Sequence, residues 1–220
     1  IQLMNSGNST LRNNVMARNL INFGVTSGPT IIFPDYYNDI DESNIVDDKP
    51  IYYWMDQHNK TVPSHGGVAY LINCTNIIIK DMNISNNLVG VGLLNTNNSL
   101  VENVNIQNCS VGIGTVSSHN NVLSNCKING GIAVFSPPIG IFMNDCNNNT
   151  LKCNTISNIT GFWQYPQPSS GTGLILYGND NRIFLNSFVN NTVQVITQNA
   201  LNNAWDNGFE GNFWSDYVGV

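Results

Sequence analysis

The sequence predicts an all-β fold: a right-handed parallel β-helix of about seven coils, each of 21–23 residues, some with loop insertions. Three observations predict it. Asn makes up 40 of the 220 residues, and charged residues only 10%, against about 25% in an ordinary soluble domain. A short polar-then-apolar motif recurs along the chain. Between its copies, apolar residues alternate with period two, which is the periodicity of strands.

The recurring motif is a polar pair or a single Asn followed by an apolar anchor. It occurs at Ser9-Thr10-Leu11, Asn98-Ser99-Leu100, Asn121-Val122, Asn149-Thr150-Leu151 and Asn181-Arg182-Ile183, with weaker copies at Asn76-Ile77 and Asn203-Ala204. Anchors lie 23 residues apart from Ile77 to Leu100, then 22 to Val122, 29 to Leu151, 32 to Ile183 and 21 to Ala204. Three residues past the anchors stand Asn14, Lys80, Asn103, Asn125, Asn154, Asn186 and Asn207. Between anchors the alternation is plain, as in Val104/Ile106 and Val111/Ile113.

Asn at one place in every coil has a physical reason. Coils stack at the parallel strand spacing of about 4.8 Å. An amide then meets the same amide above and below, and its carbonyl and NH₂ bond along the stack. Asn also tolerates the left-handed backbone of a tight corner. The expected ladder is Asn14, Asn103, Asn125, Asn154, Asn186 and Asn207.

Residues 1–220 read as a single β-helix domain. Residues 28–67, rich in aromatic and acidic residues, lack the anchor pattern and are expected to form a hairpin lobe beside the rod. Smaller excursions are expected at 136–138 and 161–173, and a C-terminal coil or cap at 202–220. Ile1 falls within the repeat, so the first coil is expected to offer an open strand edge.

The net charge of −6 with eight basic residues argues against a nucleic-acid partner. No apolar run reaches the roughly 20 residues of a membrane span. The five Cys, at 74, 109, 126, 146 and 153, form no C-x-x-C pair and no zinc spacing. Cys74, Cys109, Cys126, Cys146 and Cys153 are either small core residues or disulfide candidates, and an odd count leaves one for a bond between subunits. His58, His65 and His119 form no tight ligand cluster, and no metal or cofactor is expected. Nine N-x-S/T sequons, at Asn8, Asn59, Asn73, Asn83, Asn97, Asn108, Asn148, Asn158 and Asn190, are candidate glycosylation sites.

Two blocks carry a family resemblance. Lys49-Pro50-Ile51-Tyr52-Tyr53-Trp54, followed by Asn59-Lys60-Thr61-Val62-Pro63, resembles a block of archaeal, methanogen-type surface proteins. Ala204-Trp205-Asp206-Asn207-Gly208, with Gly211-Asn212-Phe213-Trp214-Ser215-Asp216-Tyr217, resembles their terminal coil. The repeats resemble the carbohydrate-binding and sugar-hydrolase β-helix repeats of NosD-like proteins over nearly the whole chain. The resemblance implies an extracellular setting. It does not imply copper-site maturation here.

Two functions are consistent with these residues. The first is a structural cell-envelope protein, a sheath, S-layer or filament subunit, that assembles with itself through β-helix edges and side contacts. The second is a glycan-binding or glycan-cleaving module using aromatic loops and an acid pair. A hydrolase needs two carboxylates about 5–9.5 Å apart, and Asp81 with Glu102 is the best pair available. The expectation is that the chain is not an enzyme and that its partner is itself, with glycans as the second partner class.

Overall fold

A computed structural model describes residues 1–28, 30–134, 136–161, 163–164, 167–168 and 170–218. The chain is a parallel β-helix with three faces. The first face is six-stranded, from His58–Val62 through Thr75–Lys80, Leu100–Glu102, Val122–Ser124 and Thr150–Lys152 to Arg182–Phe184. The second is also six-stranded, from Asn83–Ser85 to Phe213–Trp214, and the third has nine strands. Inward residues stack in columns, such as Ile79, Val101, Leu123, Leu151 and Ile183 on the first face. Ile84, Ile106, Ile128, Ile156 and Phe188 do the same on the second. Together with inward residues of the third face they form one continuous core.

The corners follow a rule. Coils bend at residues with positive φ, spaced three, five and five apart. One coil bends at Asn73, Asn76, Asp81 and Asn86, and the next at Asn95, Asn98, Asn103 and Asn108. A later coil repeats the spacing at Asp145, Asn148, Cys153 and Asn158. Asn and Asp reach this left-handed region at lower cost than other side chains, because their short polar groups bond locally. The residue after each bend turns inward. After the bends at Asn95, Asn98, Asn103 and Asn108 come Thr96, Ser99, Val104 and Cys109, all buried.

This rule corrects the expected ladder. Leu100 pairs with Val122 and Val122 with Thr150, not with Leu151, so the anchor motif slips by one residue between its third and fourth copies. Asn103 and Asn125 are exposed bend residues with φ of 52° and 54°. Asn14, Asn154 and Asn186 instead occupy the inward place after a bend. Asn207 holds a surface turn, accepting the N–H groups of Phe209 and Glu210, and Asn212 takes the ladder position.

Residues 28–67 are not a separate hairpin lobe. Asp39–Ile40 and Ile45–Val46 pair in parallel with Thr10–Leu11 and Val15–Met16, giving the second turn of a short two-turn unit. A tight hairpin at Asp47 and Asp48, both at positive φ, then reverses the chain into Lys49–Met55. Lys49–Met55 and His58–Val62 belong to the rod, pairing with Val68–Ile72 and Thr75–Lys80. Lys49–Met55 is apolar and aromatic because it is buried on both faces. Tyr52 enters the rod core, while Ile51 and Tyr53 enter a second core built with Phe23, Val25 and Tyr36. The two-turn unit thus lends Val15–Met16 and Ile45–Val46 to the edge of the nine-stranded sheet and packs on the outer face of Lys49–Met55 and Val68–Ile72. The Asp47 carboxylate holds it there, accepting from Nδ2 of Asn22 at 2.8 Å and of Asn86 at 3.5 Å.

In the 136–138 region Phe135 lies outside the described residues. In the 161–173 excursion the backbone of Trp163–Gln164 pairs with Gln167–Pro168 as a hairpin, and Phe162, Tyr165, Pro166 and Ser169 lie outside the described residues, as do Pro29 and residues 219–220 of the expected lobe and cap. At the C-terminal end Trp214 stacks on Phe188, centroids 4.7 Å apart, and Trp205 leans on Trp214 at 6.2 Å. Both Trp residues pack against the rod core. No helix among the described residues is long and apolar enough to cross a membrane.

Candidate functional site

Many of the polar side chains are gathered at the corners, where inward Asn, Ser and Thr residues bond the coil before and the coil after. In one ladder, Oδ1 of Asn149 accepts the N–H of Asn121 at 2.8 Å. Oδ1 of Asn181 accepts both N–H and Nδ2–H of Asn149, at 2.8 and 3.1 Å, and Oδ1 of Asn203 does the same for Asn181. A second ladder runs through Cys126, Asn154, Asn186 and Asn212. In both, Nδ2 also donates to a carbonyl of the preceding coil, as Asn154 does to Leu123 at 2.9 Å and Asn181 to Cys146 at 2.9 Å. The amides of these two ladders are thereby satisfied inside the rod, which a buried polar group requires. In the two-turn unit Asn14 donates Nδ2–H to Oδ1 of Asn44 at 2.8 Å.

A third column uses smaller groups. Thr96 Oγ1 accepts the N–H of Cys74, and Ser118 Oγ accepts that of Thr96. Both hydroxyls donate back, to Leu71 and Leu93 carbonyls. Cys146 lies against Thr115 Oγ1 at 3.3 Å.

Four of the cysteines take inward places after bends, and none of the five is paired within the chain: all are free thiols. Cys74, Cys109, Cys126 and Cys146 each follow a bend and are buried. Cys126 Sγ donates to the carbonyls of Ser124 and Val101, as an amide would. Burial pushes the Cys109 thiol up to about 12 and the Cys126 thiol to about 11, and raises those of Cys74 and Cys146. Such thiols are poor nucleophiles. Cys74 and Cys146 share a corner but stand three coils apart, roughly 14 Å at the strand spacing, well beyond disulfide reach. Cys153 is itself a bend residue and is exposed.

The sequons have a structural origin. Asn8, Asn59, Asn73, Asn108, Asn148, Asn158 and Asn190 are bend residues with positive φ, so the sequon often spells a bend, an inward residue and the first strand residue. Asn83 lies in a strand, and Asn97 accepts the N–H of His119 at 2.7 Å. All but Asn97 are exposed.

The acid pair separates by one register. Glu102 pairs with Lys80, while Asp81 is a bend residue that accepts from Nδ2 of Asn103 at 2.7 Å. A crevice lies where the two-turn unit meets the rod. It holds about 330 Å³ and is lined by Tyr37, Met55, Asp56, Ile72 and Asn73. Tyr37 is exposed, Ile72 forms part of the floor, and Asn73 donates Nδ2–H to Asp56 and accepts from Asn95 at 2.9 Å.

Residues 27–219 match the family model described as "Periplasmic copper-binding protein (NosD)". The chain belongs to the NosD family. No curated protein matches it.

The family description names copper, and the described residues of this NosD-family chain do not fit that ion. Among the described residues no three His, Cys, Asp or Glu side chains come together. His65 Nε2 is bonded to the Tyr52 hydroxyl at 3.0 Å, and His119 Nδ1 accepts the N–H of Asn147 at 3.1 Å. The buried thiols, which would have to ionise to bind metal, are held neutral by burial, and the two that share a corner, Cys74 and Cys146, stand three coils apart.

The sequence missed Asn44, Asn121, Asn149, Asn181, Asn203 and Asn212 as ladder members. The signal that finds them is the three-five-five spacing of bends, each followed by an inward residue.

Proposed function

We propose that this protein is a structural component of the cell envelope, outside the cytoplasm, that associates with copies of itself. One observation carries this reading: two Asn ladders and a Thr-Ser column at the corners bond coil to coil along the rod. That arrangement serves rigidity and resistance to proteolysis, because opening one coil breaks bonds to both neighbours. The periplasmic description of the family supports the location. A sheath, S-layer or filament subunit is the form this role would take. Electron microscopy of the purified chain tests it: rings, tubes or filaments are expected, and a monodisperse monomer at every concentration rejects the reading.

The crevice at Tyr37 favours a second reading, a glycan-binding module. An exposed ring with an adjoining carboxylate–amide pair suits a sugar, which stacks its apolar face and bonds its hydroxyls. Binding to a panel of neutral polysaccharides, lost in Tyr37→Ala, supports it. Equal binding by both proteins removes it.

A further inference from the structure

The nine-stranded face has an inner side in the core and an outer side with three rows, one of them Leu94, Val116, Asn144 and Tyr177 and two of mostly apolar residues. Of these two, one runs Val89, Val111, Ile139, Thr172, Val193, and the other Gly92, Gly114, Phe142, Ile175, Ile196. At its start this outer side is covered: Val89 packs into the second core, and Tyr70, paired with Gly92, lies within it against Phe23 and Tyr53. Further along, the same rows reach the surface. Val111, Ile139, Phe142, Ile175 and Val193 are half-buried, and Ile196 is 39% exposed.

We propose that this continuation of the outer face, over strands Val111–Val116, Ile139–Asn144, Thr172–Tyr177 and Val193–Thr197, is the surface through which two copies of the chain meet. The inference rests on the self-association reading above and names its interface. Three properties select a second copy as the occupant. The face continues rows that the chain's own two-turn unit already covers by apolar packing. Neither row holds an Asp, Glu, Lys or Arg, although the chain carries a net charge of −6, so two copies meet here without apposing like charges. The rows run in parallel register from strand to strand, so a twofold axis across the face lays sheet on sheet, about 10 Å apart, as in a β-sandwich.

Sedimentation velocity of the full chain across concentration, with reductant present, tests this. The variants are Ile175→Lys and Ile196→Lys, with Asn105→Lys on the polar second face as control and thermal melting as a check on folding. Ile196→Lys lies at the more exposed position and keeps the test valid if Ile175→Lys fails to fold. The expected result is that the wild type and the control associate, while the face variants fold but dissociate, with apparent Kd raised more than about tenfold by an unpaired charge in the contact. If the wild type and both face variants associate equally, self-association stands and this interface is overturned. A wild type that stays monomeric overturns both.

Discussion

Asn154 gives both its backbone N–H and its side-chain Nδ2–H to one atom, Oδ1 of Asn186, at 3.0 and 2.9 Å. The two residues are 32 apart in sequence yet occupy the same corner of successive coils. Asn186 repeats the gesture toward Asn212, at 3.0 and 2.9 Å. The rod is held in register by such double donations.

Removing Asn186 therefore leaves two buried donors of Asn154 without an acceptor. Asn186→Ala is expected to lower stability by about 3 kcal/mol, read by chemical denaturation. Asn103→Ala, which replaces an exposed bend residue, is expected to cost only about 1 kcal/mol. Equal losses would contradict the assignment of inward and bend positions.

Thiol reactivity separates the cysteines. In native buffer at mildly alkaline pH, a thiol reagent is expected to label Cys153 rapidly and the four buried thiols only after unfolding. Labelling counted by mass spectrometry checks this. Rapid modification of Cys109 or Cys126 in the folded protein would contradict the column placement.

The same burial predicts a pH dependence. The Cys109 and Cys126 thiols ionise near 12 and 11 in the folded chain, against an ordinary value of 9.0. Their contribution is whole below pH 9 and declines as pH rises from 9 toward 11–12. In that window the unfolded chain has lost protons that the folded chain retains. Cys109→Ala is expected to flatten the fall in melting temperature over this window. An unchanged slope would show that Cys109 is not held neutral by the fold.

The aromatic closure gives a fourth prediction. Trp214 stacks on Phe188 at the end of the core and is only partly buried. Trp214→Ala is expected to cost about 2 kcal/mol, below the roughly 3–5 kcal/mol typical of a fully buried Trp, with fraying of 202–218 detected by hydrogen exchange. Protection unchanged in this segment would contradict its role as a closure.

Particular residues show what the sequence made legible. Period-two alternation at Val104/Ile106 and Val111/Ile113 identified strands, because inward and outward sites differ sharply in burial. The ladder was legible only in part, because Asn serves two purposes. At Asn103 and Asn125 it permits a left-handed bend, and at Asn154 and Asn186 it bonds inside the rod. The two positions are adjacent, so a one-residue slip still lands on Asn. The inward place also accepts Val104 and Cys126, which hides its identity. Lys49–Met55 read as a lobe because a strand covered on both faces loses its alternation. The Tyr37 crevice joins residues from 37 to 73 and has no local signature.

Sedimentation equilibrium of the purified chain in reducing buffer decides whether the proposed self-association occurs. A mass that rises with concentration above the 24.2 kDa of one chain, whatever the reductant concentration, is expected. A mass of one chain at all concentrations would contradict it.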